Sequence, residues 1–430
     1  MRTRFVIAMT LTDLVALGLA MLVGSMLVFG TPAVWEARID LRLSTLPLLG
    51  VMTAGAVVMS LATASMSGHG VPRPTYGRLI MILTGTFLLT TTASFMFRDA
   101  LPYSRSYVPV VLGIWGVFGA AHRYVRRRRP WTERLVIVTS EKTLADELAE
   151  SDHVEVVSVI DPQSDADLEP LPNGCSLAVD LRSALSQNVA QFVSSCDLAG
   201  YDVRPLASVY QEHLQRVPLV HLNEGWEIST PLLSTQPWLP GKHVVDTILV
   251  LVTAPLWLLV GLAVALFVKI SSPGPVLFRQ RRIGRGGEPF VMYKFRTMVV
   301  DAEESGPRFA AEGDARLIRG GAFLRRARLD EIPQLYNVLK QEMSLVGPRA
   351  EQIPFVRQFR KRIPFYDLRH LVRPGITGWA QVNYGYADDA ADTIEKLSYD
   401  LYYIQHMSPA LDLQILWKSI WTVLTGAGAR

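Results

Sequence analysis

Two adjacent carboxylates, Asp330 and Glu331, lie close to a cluster of arginines in this sequence. The arginines precede the pair within five residues, at Arg325, Arg326 and Arg328. Nearby positive charge favours the ionised form of a carboxylate, so we expect a lowered pKa and a nucleophilic side chain at Asp330. Glu331 offers an oxygen ligand of the kind that Mg²⁺ prefers. An ordinary helix N-cap at Asp330, ahead of the apolar helical pattern that follows, is the alternative interpretation.

Basic side chains alternate with aromatic ones in the region before this pair. The basic positions with candidate binding roles are Arg279, Arg281, Lys294 and Arg296. On strand edges beside a membrane, each basic residue adds about 1 kcal/mol of attraction to anionic headgroups. The same residues could also bind a pyrophosphate. A solvated basic face is the third interpretation.

The regions that must position these residues differ sharply in charge. The chain has 430 residues, a mean hydropathy of +0.22 and a formal charge of +4. That charge divides into +9 over residues 1–130, −12 over 131–240, +1 over 241–272 and +6 over 273–430. The hydrophobic content excludes a disordered chain, and the presence of only two cysteines excludes a disulfide framework. We interpret the four regions as structurally separate parts of a membrane protein.

Apolar stretches in residues 1–130 predict a four-helix transmembrane bundle. They cover residues 5–29, 46–66, 79–97 and 107–121. A helix needs about 20 apolar residues to span a bilayer, so the first three qualify and the fourth is short. Arginines at positions 2 and 4 and in the run 126–129 flank the bundle. The positive-inside rule therefore places the N-terminus and everything after residue 129 in the cytoplasm.

A fifth apolar stretch, residues 244–268, carries Pro255 near its middle. Proline interrupts helical hydrogen bonding, and broken helices are tolerated at membrane depth where protein satisfies the backbone. If this stretch crossed the membrane, the basic C-terminal region would face outward. We therefore predict a re-entrant hairpin over residues 241–272 that bends at Ala254-Pro255. An ordinary kinked span is the alternative.

The acidic region, residues 131–240, alternates β-rich and helical runs, which predicts a small Rossmann-like α/β domain with a parallel sheet. The turn after its first strand, Val138-Thr139-Ser140-Glu141, lacks the glycines that a dinucleotide site needs. Together with the charge of −12, this degenerate turn disfavours a polyanionic ligand. We interpret the domain as regulatory or as an assembly module.

Three motifs in residues 240–430 resemble the bacterial sugar transferases, the monotopic-core polyprenyl-phosphate phosphoglycosyl transferases. They are LDEIPQLYNV at 329–338, preceded by LRR at 324–326, MSLVGPR at 343–349 and RPGITGWAQVN at 373–383. The whole layout is similar to the long polytopic branch of that family. Residues 396–403 and 426–430 look most like its exopolysaccharide-associated members from exosortase-containing bacteria. By this resemblance, residues 273–430 form a mostly α-helical α+β catalytic domain.

The resemblance implies a reaction and the residues that perform it. Asp330 attacks the β-phosphate of a UDP-sugar, UMP leaves, and the sugar phosphate then passes from the carboxylate to polyprenyl (undecaprenyl) phosphate. Glu331 helps to hold Mg²⁺, which neutralises the pyrophosphate and the leaving UMP. Arg325 and Arg349 match the family's phosphate-binding arginines, and bidentate guanidinium geometry suits phosphate oxygens. Glucose and galactose are the sugars that the resemblance favours.

The implied role is the start of exopolysaccharide repeat-unit synthesis at the bacterial inner membrane, with the catalytic domain in the cytoplasm. The implied partners are the UDP-sugar, polyprenyl phosphate and the lipid bilayer. Other polysaccharide-assembly proteins and a second copy in a homodimer are compatible with this role, and no motif points to nucleic acid. A catalytically inactive assembly or regulatory protein of a polysaccharide export system is the alternative function.

Some positions depart from the family pattern or need a separate interpretation. Ala254 replaces a serine before Pro255, which puts a hydroxyl contact at the bend in doubt. Tyr384-Gly385 replaces a Gly-Arg pair that many members carry. Asp400 and Asp412 fall where family members also have acids, and we interpret both as structural.

Overall fold

The computed structural model describes residues 2–31, 38–40, 43–44, 46–66, 76–97, 106–128, 132–219, 238–300, 314, 316–384 and 390–425. By its internal contacts, the chain divides into two compact units. The first comprises Met1–Ala178 with Leu185–Val203, and the second comprises Val179–Ala184 with Arg204–Arg430. Arg129, Gly385 and residues 426–430, on which some of the predictions above depend, lie outside the described residues.

The first unit begins with four apolar helices, as predicted. They are α1 (Arg2–Phe29), α2 (Leu46–Met66), α3 (Tyr76–Met96) and α4 (Tyr107–Arg127), with a short hairpin of β1 (Arg38–Asp40) and β2 (Leu43–Ser44). By length and composition, α1, α3 and α4 are able to cross a membrane, and α2 contains the apolar run Leu46–Leu61. The prediction that the fourth stretch is short is wrong, because the apolar part of α4 extends over Tyr107–Val125. Asp13 and Arg123 form a buried ion pair at 2.8 Å that joins α1 to α4. Such a pairing is what a charge inside a bundle requires.

A small α/β sheet follows the helices, also as predicted. Its elements are β3 (Glu133–Val138), α5 (Lys142–Ala149), β4 (Val154–Ile160), β5 (Cys175–Val179), α6 (Gln187–Leu198) and β6 (Val203–Pro205). The strand order is β4-β3-β5-β6, and β3 pairs with β4 in parallel. All five residues of β5 are buried, which is typical of a central strand in a parallel sheet.

The second unit contains α7 (Leu206–Leu214) and then a broken apolar helix, α8 (Trp238–Val252) and α9 (Ala254–Ser271). The interruption falls at Thr253, so Pro255 occupies the first turn of α9, where no backbone N–H is needed. The Thr253 hydroxyl donates to the carbonyl of Leu249 at 2.7 Å, and the indole of Trp257 donates to the carbonyl of Val250 at 2.9 Å. A hydroxyl contact at the break therefore exists, although the residue before Pro255 is alanine.

Both arms of the broken helix pack on the same C-terminal α+β region. Asp246 of α8 accepts a hydrogen bond from Ser344, and Val250 packs with Met292. Val264 and Val268 of α9 pack in another cluster of buried side chains. The opposite sides of both helices expose large apolar residues: Val244, Ile248, Leu251, Val252, Leu256, Leu259, Leu262, Leu266 and Ile270. These exposed apolar surfaces fit contact with lipid, and by length and composition α9 is able to cross a membrane. The re-entrant hairpin over residues 241–272 therefore stays a prediction.

The α+β region begins with an antiparallel hairpin of β7 (Leu277–Ile283) and β8 (Pro289–Phe295). It continues through α10 (Gly321–Arg326), a 3₁₀ turn (Leu329–Glu331), α11 (Gln334–Leu339), β9 (Ser344–Val346), α12 (Ile353–Arg362), a 3₁₀ segment (Tyr366–Leu371), β10 (Gly375–Thr377), α13 (Trp379–Asn383), α14 (Ala390–Gln405) and α15 (Pro409–Thr425). Strands β9 and β10 pair in parallel. A Cβ atom at Gly375 would collide with the backbone of Gly347, so this close approach requires glycine.

Candidate active site

The two carboxylates lie on a tight turn between α10 and α11. Arg328 has φ 53°, a left-handed conformation that reverses the chain just before the 3₁₀ turn Leu329–Glu331. Asp330 and Glu331 are 7% and 8% exposed. The residue at the N-terminus of α11 is Pro333, and no side chain caps that helix. The N-cap interpretation of Asp330 is therefore not what the structure shows.

Glu331 lies at the centre of a cationic cluster. Its Oε1 lies 2.8 Å from Nζ of Lys294 and 3.8 Å from Nη1 of Arg349, and its Oε2 lies 3.3 Å from Nη1 of Arg328. Burial alone would raise the pKa of Glu331, but Lys294, Arg349 and Arg328 together hold the pKa well below its usual range. Glu331 is therefore ionised at neutral pH.

Asp330 has a different environment from its neighbour. Burial raises its pKa to about 6, and the negative charge of Glu331 adds to the rise, while Lys294, Arg325 and Arg349 oppose it. The expected lowered pKa is wrong in direction, because desolvation outweighs the nearby cations. No described residue forms an ion pair or a hydrogen bond with its carboxylate. At pH 7 the group is mostly ionised, buried and available to react, which suits a nucleophile.

Long-range contacts place the two cations that face the pair. Lys294 projects from β8, and burial lowers the pKa of its ammonium group while Glu331 opposes that effect. Arg349 follows the glycine-proline turn after β9, and its carbonyl accepts a hydrogen bond from Nη2 of Arg369 at 3.1 Å. Asp400 holds the same guanidinium at 2.7 Å in a buried ion pair. Asp400 therefore acts through Arg369 on the position of Arg349.

Asp412 also lies away from the turn. It accepts hydrogen bonds from Lys242 at 2.8 Å, Tyr403 at 2.8 Å and Trp238 at 2.9 Å. These bonds attach the start of α8 to α15 and α14. Both acids thus have the structural surroundings that we expect from the sequence.

The structure brings together some of the predicted residues and not others. Asp330, Glu331, Lys294 and Arg349 form one cluster, and the charge of Arg325 reaches Asp330 although its Nε donates to Thr297 at 2.9 Å. Arg296 instead donates to the carbonyls of Pro273 and Ser272 at 2.7 and 2.9 Å. These bonds terminate α9 and leave the arginine with a structural role.

Three further predicted cations lie away from the cluster. Arg279 pairs across the hairpin with Tyr293, and Arg281 pairs with Val291, so both project from the face opposite to Lys294. Both are exposed. Arg326 is exposed on α10. Arg328 belongs to the basic cluster in the sequence without a predicted role, and its left-handed backbone is visible only in the structure.

At the position where many family members carry Gly-Arg, only the first residue is described. The hydroxyl of Tyr384 donates to Oδ1 of Asp392 at 2.8 Å. This bond joins the end of α13 to α14.

Comparisons with known proteins give a consistent set of relatives. Residues 238–426 match the family model described as bacterial sugar transferase. The chain is 39% identical over 356 residues to the UDP-N-acetylgalactosamine-undecaprenyl-phosphate N-acetylgalactosaminephosphotransferase of Aeromonas hydrophila, which covers 81% of each protein. It is 43% identical over 210 residues to the UDP-glucose:undecaprenyl-phosphate glucose-1-phosphate transferase of Xanthomonas campestris pv. campestris, or 48% of this chain and 42% of that protein. It is 41% identical over 170 residues to the exopolysaccharide production protein PSS of Rhizobium leguminosarum bv. phaseoli, or 38% of this chain and 85% of that one.

Proposed function

Because the chain belongs to the bacterial sugar transferase family, we propose that it transfers a sugar 1-phosphate from a UDP-sugar to polyprenyl phosphate and releases UMP. The reaction class, a polyprenyl-phosphate sugar-1-phosphate transferase, follows from the family. The buried pair Asp330–Glu331 with its facing cations is the observation that carries the proposal for this chain. An inactive assembly protein would have no need of a desolvated carboxylate that no described residue pairs with.

In the proposed reaction, Asp330 first forms a bond to phosphorus and then leaves it. In the first step, a carboxylate oxygen forms a bond to the β-phosphorus of the UDP-sugar, and the bond from that phosphorus to the UMP oxygen breaks. In the second, a phosphate oxygen of polyprenyl phosphate bonds to the same phosphorus, and the aspartyl oxygen leaves. Lys294 and Arg349 lie where they offset the charge that develops on the phosphoryl oxygens. No net proton transfer is required.

Mg²⁺ is part of the proposal. No group of three or more potential metal ligands occurs among the described residues. A single pair of carboxylates nevertheless fits this ion, because Mg²⁺ usually binds one or two carboxylates together with substrate phosphates and water. Glu331 would help to hold it, and it would supply charge neutralisation at the diphosphate.

The family resemblance and the names of the relatives both bear on the identity of the donor sugar. The resemblance favours glucose or galactose, whereas the Aeromonas hydrophila relative is named for N-acetylgalactosamine and the Xanthomonas campestris relative for glucose. We propose a UDP-hexose, with glucose and galactose tested first and N-acetylgalactosamine beside them. The Rhizobium leguminosarum relative is named for exopolysaccharide production, which supports that process for this chain.

A direct assay tests the proposed function. Membranes that contain the protein are incubated with undecaprenyl phosphate and each β-³²P-labelled UDP-hexose, with Mg²⁺ or with excess EDTA. We expect label in the lipid fraction and equimolar UMP with at least one donor, and loss of both in EDTA. If no donor gives UMP or labelled lipid, the protein is not a transferase and the inactive assembly role stands.

The pKa of Asp330 predicts the acid limb of the pH profile. The nucleophile must be ionised, and its pKa of about 6 implies that the rate falls about tenfold per pH unit below that value. Single-turnover UMP release between pH 4.5 and 8 measures this limb. A rate that stays constant down to pH 5 would mean that an unperturbed carboxylate, or another group, performs the attack.

The re-entrant hairpin predicts the sidedness of two exposed positions. Cysteines introduced at Glu150 and Gln358, both exposed, should react with a membrane-impermeant maleimide only after the cells are lysed. The native Cys175 and Cys196 are buried and give a low background. If the cysteine at 358 reacts in intact cells and the one at 150 does not, α8 and α9 span the membrane and the hairpin is wrong.

A further inference from the structure

A cavity of about 230 Å³ opens beside Glu331 in the C-terminal unit. Its walls are mainly apolar and come from Ile332, Leu335, Ile376 and Val382. Ser419 and Thr422 of α15 also line it. The two reaction steps above assign no role to this space.

One end of the cavity is polar. Arg328 and Glu331 line it there, and the Arg328 side chain remains about one-third exposed at 33%. Gln381 also lines the cavity, and both its amide atoms are shielded from solvent with no hydrogen-bond partner among the described residues. A buried amide without a partner costs roughly 1–3 kcal/mol. A bound group that accepts a hydrogen bond from Nε2 would remove part of that cost.

The size and lining of the cavity restrict its occupant. A water molecule takes about 30 Å³ of liquid volume, so the space corresponds to roughly seven or eight water-sized groups. A nucleoside would place its ribose hydroxyl groups and base carbonyl groups against the apolar walls, which is unfavourable. A hexose would leave its hydroxyl groups against the apolar walls, which is unfavourable. A short branched hydrocarbon attached to an anionic group matches both the walls and the polar end.

The surroundings of the cavity point to the membrane side. A Cβ atom at Gly261 of α9 would lie 3.5 Å from Ile332, so the hairpin packs directly behind that wall. Leu335 and Ile376 pack in one cluster with Trp257, which stands next to the break between α8 and α9. On α15, the turns that carry Ser419 and Thr422 also expose Trp417, Ile420 and Trp421. Exposed tryptophans are typical of a membrane–water interface.

We propose that this cavity holds the isoprene unit next to the phosphate of polyprenyl phosphate, with Arg328 and the Gln381 amide at the phosphate end. The proposal rests on the proposed function and adds the place where the lipid acceptor binds. In this position, the acceptor phosphate lies beside the turn that carries Asp330 and reaches the phosphoryl group from the membrane side.

Filling the cavity from two different helices tests the proposal. Val382→Phe on α13 and Thr422→Phe on α15 should each raise the KM for undecaprenyl phosphate at least tenfold, with the KM for the UDP-hexose within twofold of wild type. Ile420→Phe is the matched control, because Ile420 is on the same helix and exposed, and both KM values should stay within twofold. If both cavity variants keep the wild-type lipid KM, or raise only the donor KM, the cavity is not the acceptor site.

A second measurement separates this proposal from the reaction itself. UMP release in a single turnover without lipid reports only the first step and also shows that each variant is folded. Retention of radiolabelled undecaprenyl phosphate by the purified protein in detergent reports only lipid binding. If wild-type protein releases no UMP, the proposed reaction fails, and the cavity is then judged by lipid retention alone. Weaker retention in both cavity variants than in Ile420→Phe supports the site, and equal retention overturns it.

Discussion

Replacing Asp330 with asparagine is expected to lower sugar-phosphate transfer by at least about a thousandfold, the scale seen when a nucleophile is removed from an enzyme. The amide has the same size as the carboxylate but cannot form the bond to phosphorus. Both steps should be lost, so neither UMP nor labelled lipid should appear above the uncatalysed rate. Transfer that continues within tenfold of wild type would show that Asp330 is not the nucleophile.

Thermal unfolding shows whether Asp330→Asn is folded. It also tests the site, because Asp330 and Glu331 have opposite effects on stability at pH 7. The pKa of Asp330 is raised in the folded protein. Its contribution to the stability of the fold is therefore complete below its ordinary pKa and is lost as the pH rises through about 6. At pH 7, asparagine replaces a buried charge that disfavours folding. We therefore expect the thermal unfolding temperature of Asp330→Asn to equal or exceed that of the wild type.

Glu331→Gln provides the contrast. The pKa of Glu331 is lowered, so its ionised form stabilises the fold above its ordinary pKa, and this contribution is lost as the pH falls. Glutamine leaves Lys294 buried beside a neutral group. At pH 7 this variant should unfold at a lower temperature than the wild type. A lower unfolding temperature for Asp330→Asn instead would contradict the assigned environment of Asp330.

The sequence predicts the elements of this protein better than the cluster that they create. Hydropathy alone indicates the four N-terminal helices, because a run of about 20 apolar residues is typical of a membrane-spanning helix. The break in the fifth apolar stretch follows from Pro255, since proline cannot continue a helical hydrogen-bond pattern. The alternation of short apolar strands and helices indicates the α/β sheet. Each of these signals is local.

The environment of Asp330 is not a local property. Arg325, Arg326 and Arg328 are its nearest cations in sequence, yet Arg326 is exposed and Arg328 contacts Glu331. The cation closest to the pair, Lys294, lies 37 residues from Glu331 along the chain. Burial, which sequence proximity does not report, reverses the expected pKa shift.

The face of a strand decides which basic residues reach the pair. Alternation along β7 and β8 separates Lys294 from Arg279 and Arg281, but the register between the strands is needed to tell which face meets Asp330. The position of Arg349 likewise depends on Arg369 and Asp400, which are distant in sequence. Composition therefore identifies the basic region, whereas the tertiary fold selects its functional members.

Lys294→Met is expected to lower transfer by about 10²–10³-fold, the effect of removing one preorganised donor from a site where negative charge develops. The ammonium contacts Glu331 at 2.8 Å and lowers the pKa of Asp330. Its removal should also shift the acid limb of single-turnover UMP release to higher pH, because Asp330 then holds its proton more tightly. A purely structural role of Lys294 would lower the rate without moving this limb.

Two further variants make the Lys294 result decisive. Lys340→Met removes an exposed lysine whose partner Glu342 is also near the surface, and such pairs contribute about 0–1 kcal/mol. It should leave both the rate and the limb unchanged. Lys294→Arg keeps the positive charge in altered geometry, so it should return the limb to near pH 6 while the rate stays below wild type. If methionine and arginine at this position give the same limb, the charge of Lys294 does not control Asp330, and Lys294 does not oppose the rise in its pKa.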